Sequence, residues 1–182
     1  MCTFKKAPLF GKLQDEKMLL SPLGFIVEDC WTEIPNHFAR VELDLYVIMP
    51  NHFHGIVVLQ ESPGRGTACR ALAAEELGGL VCGEGTACRA PTAEQFGRPV
   101  PESVPTIVRS FKSAATKRAN ASLGTPGAAL WQRNYFEHVI RDTQSLNRIR
   151  EYIATNPAKW ESDHDNPKGT GVDEFYLWLT SM

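Results

Sequence analysis

Residues 41–59 hold two apolar runs separated by Pro50-Asn51. Proline cannot donate to a strand ladder, and asparagine tolerates the backbone angles of a tight turn. The chain must therefore break there. Residues 41–49, Val-Glu-Leu-Asp-Leu-Tyr-Val-Ile-Met, alternate and then become fully apolar, which predicts a strand entering a core. His52-Phe53-His54-Gly55-Ile56-Val57-Val58-Leu59 predicts a second strand, antiparallel to the first across the turn.

Around this hairpin the chain interleaves helices and strands. Residues 9–20 place two apolar runs about a polar turn, a second short hairpin. Ser21-Pro22 opens a helix, with Ser as N-cap and Pro at the first helical position. Its apolar stripe is Leu23, Ile26, Val27, Cys30, Trp31 and Ile34, and Pro35 ends it. A second helix starts at Ser103-Val104-Pro105 and runs to about Asn120, with Ile107, Phe111, Ala114 and Ala115 on one face. Residues 135–141 predict a third strand. A helix capped by Asp142 or Thr143 follows to about Asn156, where Pro157 stops it. The tail 161–182, polar and then aromatic, is expected to pack back on the domain. The fold class is α+β: an antiparallel sheet with helices packed on one face.

Residues 61–102 differ from the rest. They are poor in large apolar residues, and Gly64-Arg65-Gly66-Thr67-Ala68-Cys69-Arg70-Ala71 recurs as Gly83-Glu84-Gly85-Thr86-Ala87-Cys88-Arg89-Ala90. This composition predicts a duplicated, disordered surface insertion within a single domain spanning 1–182.

The 182 residues fit one domain, and the formal net charge of -2 excludes nucleic-acid binding by bulk charge alone. It leaves room for a local basic groove. No run approaches the roughly 18 apolar residues of a membrane helix, and no secretory signal opens the chain, so a cytoplasmic protein is expected. The five cysteines are odd in number and form no Cys-x-x-Cys pair, which predicts reduced thiols without a catalytic role.

Candidate chemistry falls in two places. On a strand, side chains two apart share a face, so His52 and His54 would project together as two ligands of a divalent metal, with Phe53 turned into packing. Gly55 beside them leaves room for a substrate backbone. The alternative is one surface histidine and one core histidine. Pro35-Asn36-His37-Phe38 repeats Pro50-Asn51-His52-Phe53, but Ala39 stands where His54 would be, so His37 has no role. On the late helix, Tyr152 and Asn156 are four apart and share a face. Tyr152 lies on the shoulder of the Leu146, Ile149 and Ile153 stripe, where a phenol reaches either a cleft or water.

The stretch Val47-Ile48-Met49-Pro50-Asn51-His52-Phe53-His54-Gly55-Ile56 resembles the HUH motif (His, hydrophobic, His) of single-tyrosine transposases. Residues 131–141 and 149–157 resemble that family's second and third blocks. The best match is the branch called REP-associated tyrosine transposases. The resemblance covers roughly residues 8–60 and 103–160. It implies a ferredoxin-like HUH nuclease fold, with His52 and His54 binding Mg2+ or Mn2+ and Asn156 in the place of a third metal ligand. It implies Tyr152 as the nucleophile that forms a 5′-phosphotyrosine on single-stranded or hairpin DNA. Tyr135 is the rival nucleophile, but it lacks an amide partner one turn away. Glu137 and His138 are read as packing or DNA contacts.

Eight basic residues are the available phosphate partners: Arg109, Lys112, Lys117, Arg118, Arg133, Arg141, Arg148 and Arg150. Two features depart from the family: the inserted repeat, and an opening at Met1-Cys2-Thr3 that leaves the family's central N-terminal strand shortened. Two further functions stay open at this point. One is an inactive relative that only binds DNA hairpins. The other is an unrelated metal hydrolase that uses His52 and His54 with a water nucleophile. A monomer and a homodimer are both compatible with the sequence.

Overall fold

The structure, a computed structural model, describes residues 1–60 and 100–181. Apart from residues 100–102, the expected insertion and its repeat lie outside the described residues. So do Cys69, Cys82 and Cys88.

The class is α+β, as the interleaved pattern predicts. Strands β1 (Gly11–Gln14) and β2 (Lys17–Leu20) form the first hairpin, in antiparallel register from Gly11↔Leu20 to Gln14↔Lys17. Asp15 and Glu16 take left-handed angles (φ 50 and 58), the geometry that lets a two-residue turn follow the strand twist. Helix α1 (Pro22–Thr32) starts as expected: the Ser21 side chain accepts from the Gly24 N–H at 3.1 Å, with Pro22 in the first turn. It ends before Pro35. Proline has no N–H to continue α1, but it fits the first turn of a new helix, and the structure places it in a separate short helix, α2 (Ile34–His37).

Strands β3 (Val41–Ile48) and β4 (Phe53–Leu59) form the second hairpin, with Ile48↔Phe53 closest to the Pro50-Asn51 turn and an irregularity between Leu43 and Tyr46. The strands thus make two two-stranded antiparallel sheets rather than one. Helix α3 (Val104–Leu123) and helix α4 (Thr143–Thr155) complete the layers, followed by the short α5 (Glu174–Thr180).

Helices cover both faces of the second hairpin, not one. Phe53 points to one side, where its ring centroid lies 4.6 Å from Trp31 of α1 and 5.5 Å from Phe111 of α3. These residues, with Phe10, Val27, Ile107 and Trp131, form the apolar core. The strand period of two then sends His52 and His54 to the other side, toward α4 and the tail. His54 meets Tyr152 of α4 with ring centroids 5.3 Å apart, and His52 stacks on Trp160 at 5.8 Å.

The predicted strand at 135–141 does not form; these residues have no regular structure. The reason is pairing. Thr3 bridges Trp131, and the Gln132 N–H donates to the Cys2 carbonyl at 2.9 Å. That pairing stops at Gln132, and no strand among the described residues lies beside 135–141. Without a strand partner, Phe136 and Val139 are 59% and 69% exposed. On its other side the same opening segment bridges β4, through Cys2↔His52. Among the described residues, no helix is long and apolar enough to cross a membrane.

Candidate active site

The hairpin turn fixes the first imidazole. Asn51 is buried, and its Nδ2 donates to the carbonyls of Lys6 and Asp165 at 3.3 and 2.8 Å. Its Oδ1 is therefore the end that faces the His52 Nδ1, 2.9 Å away. An amide oxygen only accepts, so His52 carries its proton on Nδ1 and presents a bare Nε2. His54 projects from the same strand face, with ring centroids 4.7 Å apart. Burial holds both imidazoles well below the ordinary histidine pKa, so both are neutral at neutral pH.

Three buried polar atoms here have no hydrogen-bond partner: His52 Nε2, His54 Nε2 and Asn156 Oδ1. Orphans of this kind cost free energy unless something binds them. The amide oxygen and the His52 Nε2 are electron-pair donors, and so is the His54 Nε2 when its proton is on Nδ1, a set that suits a divalent cation. Asn156, the last residue of the α4 turn, is oriented by Asp163: its Nδ2 donates to Asp163 Oδ2 at 2.9 Å, which leaves Oδ1 turned away from that carboxylate. Asp163 Oδ2 also lies 3.7 Å from His52 Nε2, an acceptor facing an acceptor, which makes the local potential favour a positive ion.

Asp165 adds a carboxylate. One ligand atom each from His52, His54 and Asp165 lie within 4.8 Å of one another. Its Oδ1 pairs with Lys6 Nζ at 3.0 Å. Burial opposes ionisation of Asp165, but Lys6 outweighs it and holds the carboxyl below its usual range. Asp163 behaves oppositely, because burial raises its pKa and no cation among the described residues pairs with it.

Tyr152 reaches this cluster from α4, whose start Asp142 fixes by accepting from the Ser145 N–H at 2.8 Å. The half-buried phenol donates toward Asp163 Oδ2 at 3.3 Å or Asp173 Oδ2 at 3.4 Å. Phe175 lies flat on the ring, 3.8 Å between centroids. Burial first, then Asp163 and Asp173, push the hydroxyl well above the ordinary tyrosine pKa. A cavity of about 240 Å³ opens beside Tyr152, Asn156 and Asp163. Tyr135 is elsewhere: its ring lies under Lys112 Nζ at 6.0 Å, and burial and Glu137 push its hydroxyl up to about 12.

The structure thus brings His52, His54, Tyr152 and Asn156 together. Gly55, expected to make room for substrate, does not. A Cβ there would meet Trp31 Cζ2 at 2.5 Å, so the core fills the space. Asn51, Asp163, Asp165 and Asp173 were not legible as site residues. The one local signal was Asp163-His164-Asp165, an acidic pair soon after the helix that ends in Asn156.

The basic residues divide. Lys112, Lys117 and Arg133 line one surface groove of about 510 Å³ along α3 and residues 129–133. The Lys112 ammonium also donates to the Gln132 carbonyl at 2.6 Å. Gln132 pairs with Cys2, and Cys2 with His52, so two strand rungs of about 4.8 Å each link this groove to the imidazoles. Arg118 pairs with Glu33 and Arg150 with Asp44, at 2.5 and 2.7 Å. Arg148 lies over Trp178 at 4.2 Å, and Arg109 and Arg141 are exposed on the surface.

Fold and site define an α+β protein with a buried two-histidine, carboxylate and tyrosine cluster. No family model matches the chain, and no solved structure matches it. A Haemophilus influenzae protein described as "Uncharacterized protein" is 36% identical over 166 residues, 90% of this chain and 80% of that protein. The chain belongs to the same family as that protein.

Proposed function

We propose that this protein is a metal-dependent single-stranded-DNA transposase of the REP-associated tyrosine class, which cleaves and rejoins DNA at hairpin sites. The observation that carries the proposal is the meeting of His52, His54 and Tyr152 within one chain, 4.7 and 5.3 Å between successive rings, around three unpartnered donor atoms. His52, His54, Asn156 Oδ1 and Asp165 are the side chains that would hold Mg2+ or Mn2+. Bound there, a divalent cation supplies charge withdrawal from a non-bridging phosphate oxygen.

The chain's own residues do the rest. The Tyr152 oxygen bonds to phosphorus and the P–O3′ bond breaks. The phenolic proton leaves to a carboxylate or water, and the 3′ oxygen takes one up. The products are a 5′-phosphotyrosine and a free 3′-hydroxyl, so the bond energy is kept for rejoining without ATP. Lys112, Lys117 and Arg133 would track the backbone of the single strand. One chain supplies every group, so a monomer suffices. Cys2 agrees with a reducing, cytoplasmic setting: it is free, and burial raises its thiol to about 11.

The test is a labelled DNA hairpin with single-stranded flanks, incubated with the protein and Mn2+ and run on a denaturing gel. A covalent protein–DNA band that vanishes in Tyr152→Phe is the expected result. Binding without a band would mark a hairpin binder. Cleavage that survives Tyr152→Phe would mark a hydrolase with a water nucleophile.

A further inference from the structure

We infer that Asp163 is a positioning residue that ties the Tyr152 hydroxyl and the Asn156 amide to one point beside the imidazoles. The inference rests on the function proposed above and adds a residue to it.

The geometry is that of a single shared oxygen. Asp163 Oδ2 accepts from Asn156 Nδ2 at 2.9 Å and from the Tyr152 hydroxyl at 3.3 Å, and stands 3.7 Å from His52 Nε2. The other oxygen, Oδ1, accepts from the Asp165 N–H at 2.7 Å. Asp163 is 6% exposed, so water does not compete for these bonds. The Asn156 amide holds one side of Oδ2, and the Tyr152 hydroxyl, whose single proton points to this oxygen or to Asp173 Oδ2 at 3.4 Å, sits on the other.

Three consequences follow from that one carboxylate. Asn156 cannot turn its Nδ2 toward the imidazoles without losing its hydrogen bond to a carboxylate, so Oδ1 is the atom presented. Tyr152 is held beside His52 by the hydrogen bond of its hydroxyl to Asp163 as well as by packing, since the same oxygen stands 3.7 Å from His52 Nε2. Asp165 is placed by its backbone, since its N–H is the donor to Oδ1. Partners that orient ligands in this way typically change metal affinity by about 10- to 100-fold when removed.

The experiment uses the full chain carrying Asp163→Asn or Asp163→Ser. Asparagine keeps the size but offers one acceptor oxygen for two donors. Serine keeps a polar atom on a shorter arm. Two readouts are taken: Mn2+ affinity without DNA, by calorimetry or electron paramagnetic resonance, and covalent attachment to the hairpin at saturating Mn2+. The expected result is Mn2+ affinity about tenfold or more weaker. Attachment stays depressed when Mn2+ is saturating, because the hydroxyl is no longer aimed.

Four outcomes overturn the inference. Wild-type Mn2+ affinity and attachment in a folded variant would mean the carboxylate positions nothing. Complete loss of Mn2+ binding would make Asp163 a ligand. Recovery of full attachment at saturating Mn2+ would remove the link to Tyr152. Failure of both variants to fold would make Asp163 a structural prop. The proposed function fails differently, in the wild-type chain, if that chain neither binds Mn2+ nor attaches DNA.

Discussion

Asn51→Ala tests the mechanism that leaves His52 Nε2 bare. In the native chain Asn51 makes three buried contacts: Nδ2 to Lys6 O at 3.3 Å, Nδ2 to Asp165 O at 2.8 Å, and Oδ1 to His52 Nδ1 at 2.9 Å. Two are of full strength and one is long. At about 1 kcal/mol net per bond, plus the cost of stranding His52 Nδ1–H and a carbonyl, the loss is about 2–4 kcal/mol. For a chain of this size that is a fall in melting temperature of about 5–15 °C. The metal effect is separable. Without an acceptor on Nδ1, the ring loses the tautomer and orientation that present Nε2, which costs about 10- to 100-fold in Mn2+ affinity. Calorimetric titration with Mn2+, well below the variant's melting temperature, reads that number. A folded Asn51→Ala chain that binds Mn2+ as tightly as wild type would refute the assignment of the tautomer to Asn51.

Four further outcomes are expected. Burial holds His52 and His54 below their ordinary pKa of 6.5, so the unfolded metal-free chain binds more protons than the folded one below that value. Its stability to urea therefore falls as pH drops from about 6.5 toward the lowered folded values, and a stability flat between pH 7 and 5 would contradict this. Gly55→Ala drives a methyl into Trp31 and should cost about 1–3 kcal/mol in a urea melt with Mn2+ affinity unchanged. Replacing Lys112, Lys117 and Arg133 together by Ala should weaken single-stranded DNA binding and flatten its log–log salt slope by about two, at roughly 0.7 per phosphate lost; an unchanged slope removes the groove from the interface. Phe175→Ala removes the ring stacked at 3.8 Å on Tyr152, and chemical denaturation should show a loss of about 1 kcal/mol or more; no loss would mean the tail does not hold the phenol.

What was legible in the sequence was what neighbouring residues decide. Pro50-Asn51 announces the turn, Ser21-Pro22 and Asp142 announce helix starts, and the i, i+2 spacing puts both imidazoles on one strand face. The i, i+4 spacing likewise brings Tyr152 and Asn156 to one site. The failures share a cause. Residues 135–141 hold the aromatic and β-branched side chains a strand favours, but composition describes a side chain's preference and not the existence of a partner. Gly55 reads as open space only until Trp31, twenty-four positions earlier, is laid against it. Asp163 and Asp165 sit in a loop without periodicity, and their meaning comes from His52 and Asn51, more than a hundred positions away.

Those two carboxylates bear on the metal proposed for the site. They are two residues apart, Asp163 buried and Asp165 partly so, and their pKa values move in opposite directions. Lys6 Nζ stands 3.0 Å from Asp165 and keeps it ionised. Asp163 faces a phenol, an amide and an imidazole lone pair, none of them a cation, and burial pushes it toward its neutral form. A site with only its own hydrogen bonds to satisfy would place its second lysine or an arginine here. Instead the chain leaves two neutral imidazoles and an amide oxygen bare next to surplus negative charge. Under the proposed function, a divalent cation held by these donors would supply the missing positive charge. The same ion would also lower the cost of a phenolate at Tyr152, which burial first and then Asp163 and Asp173 disfavour.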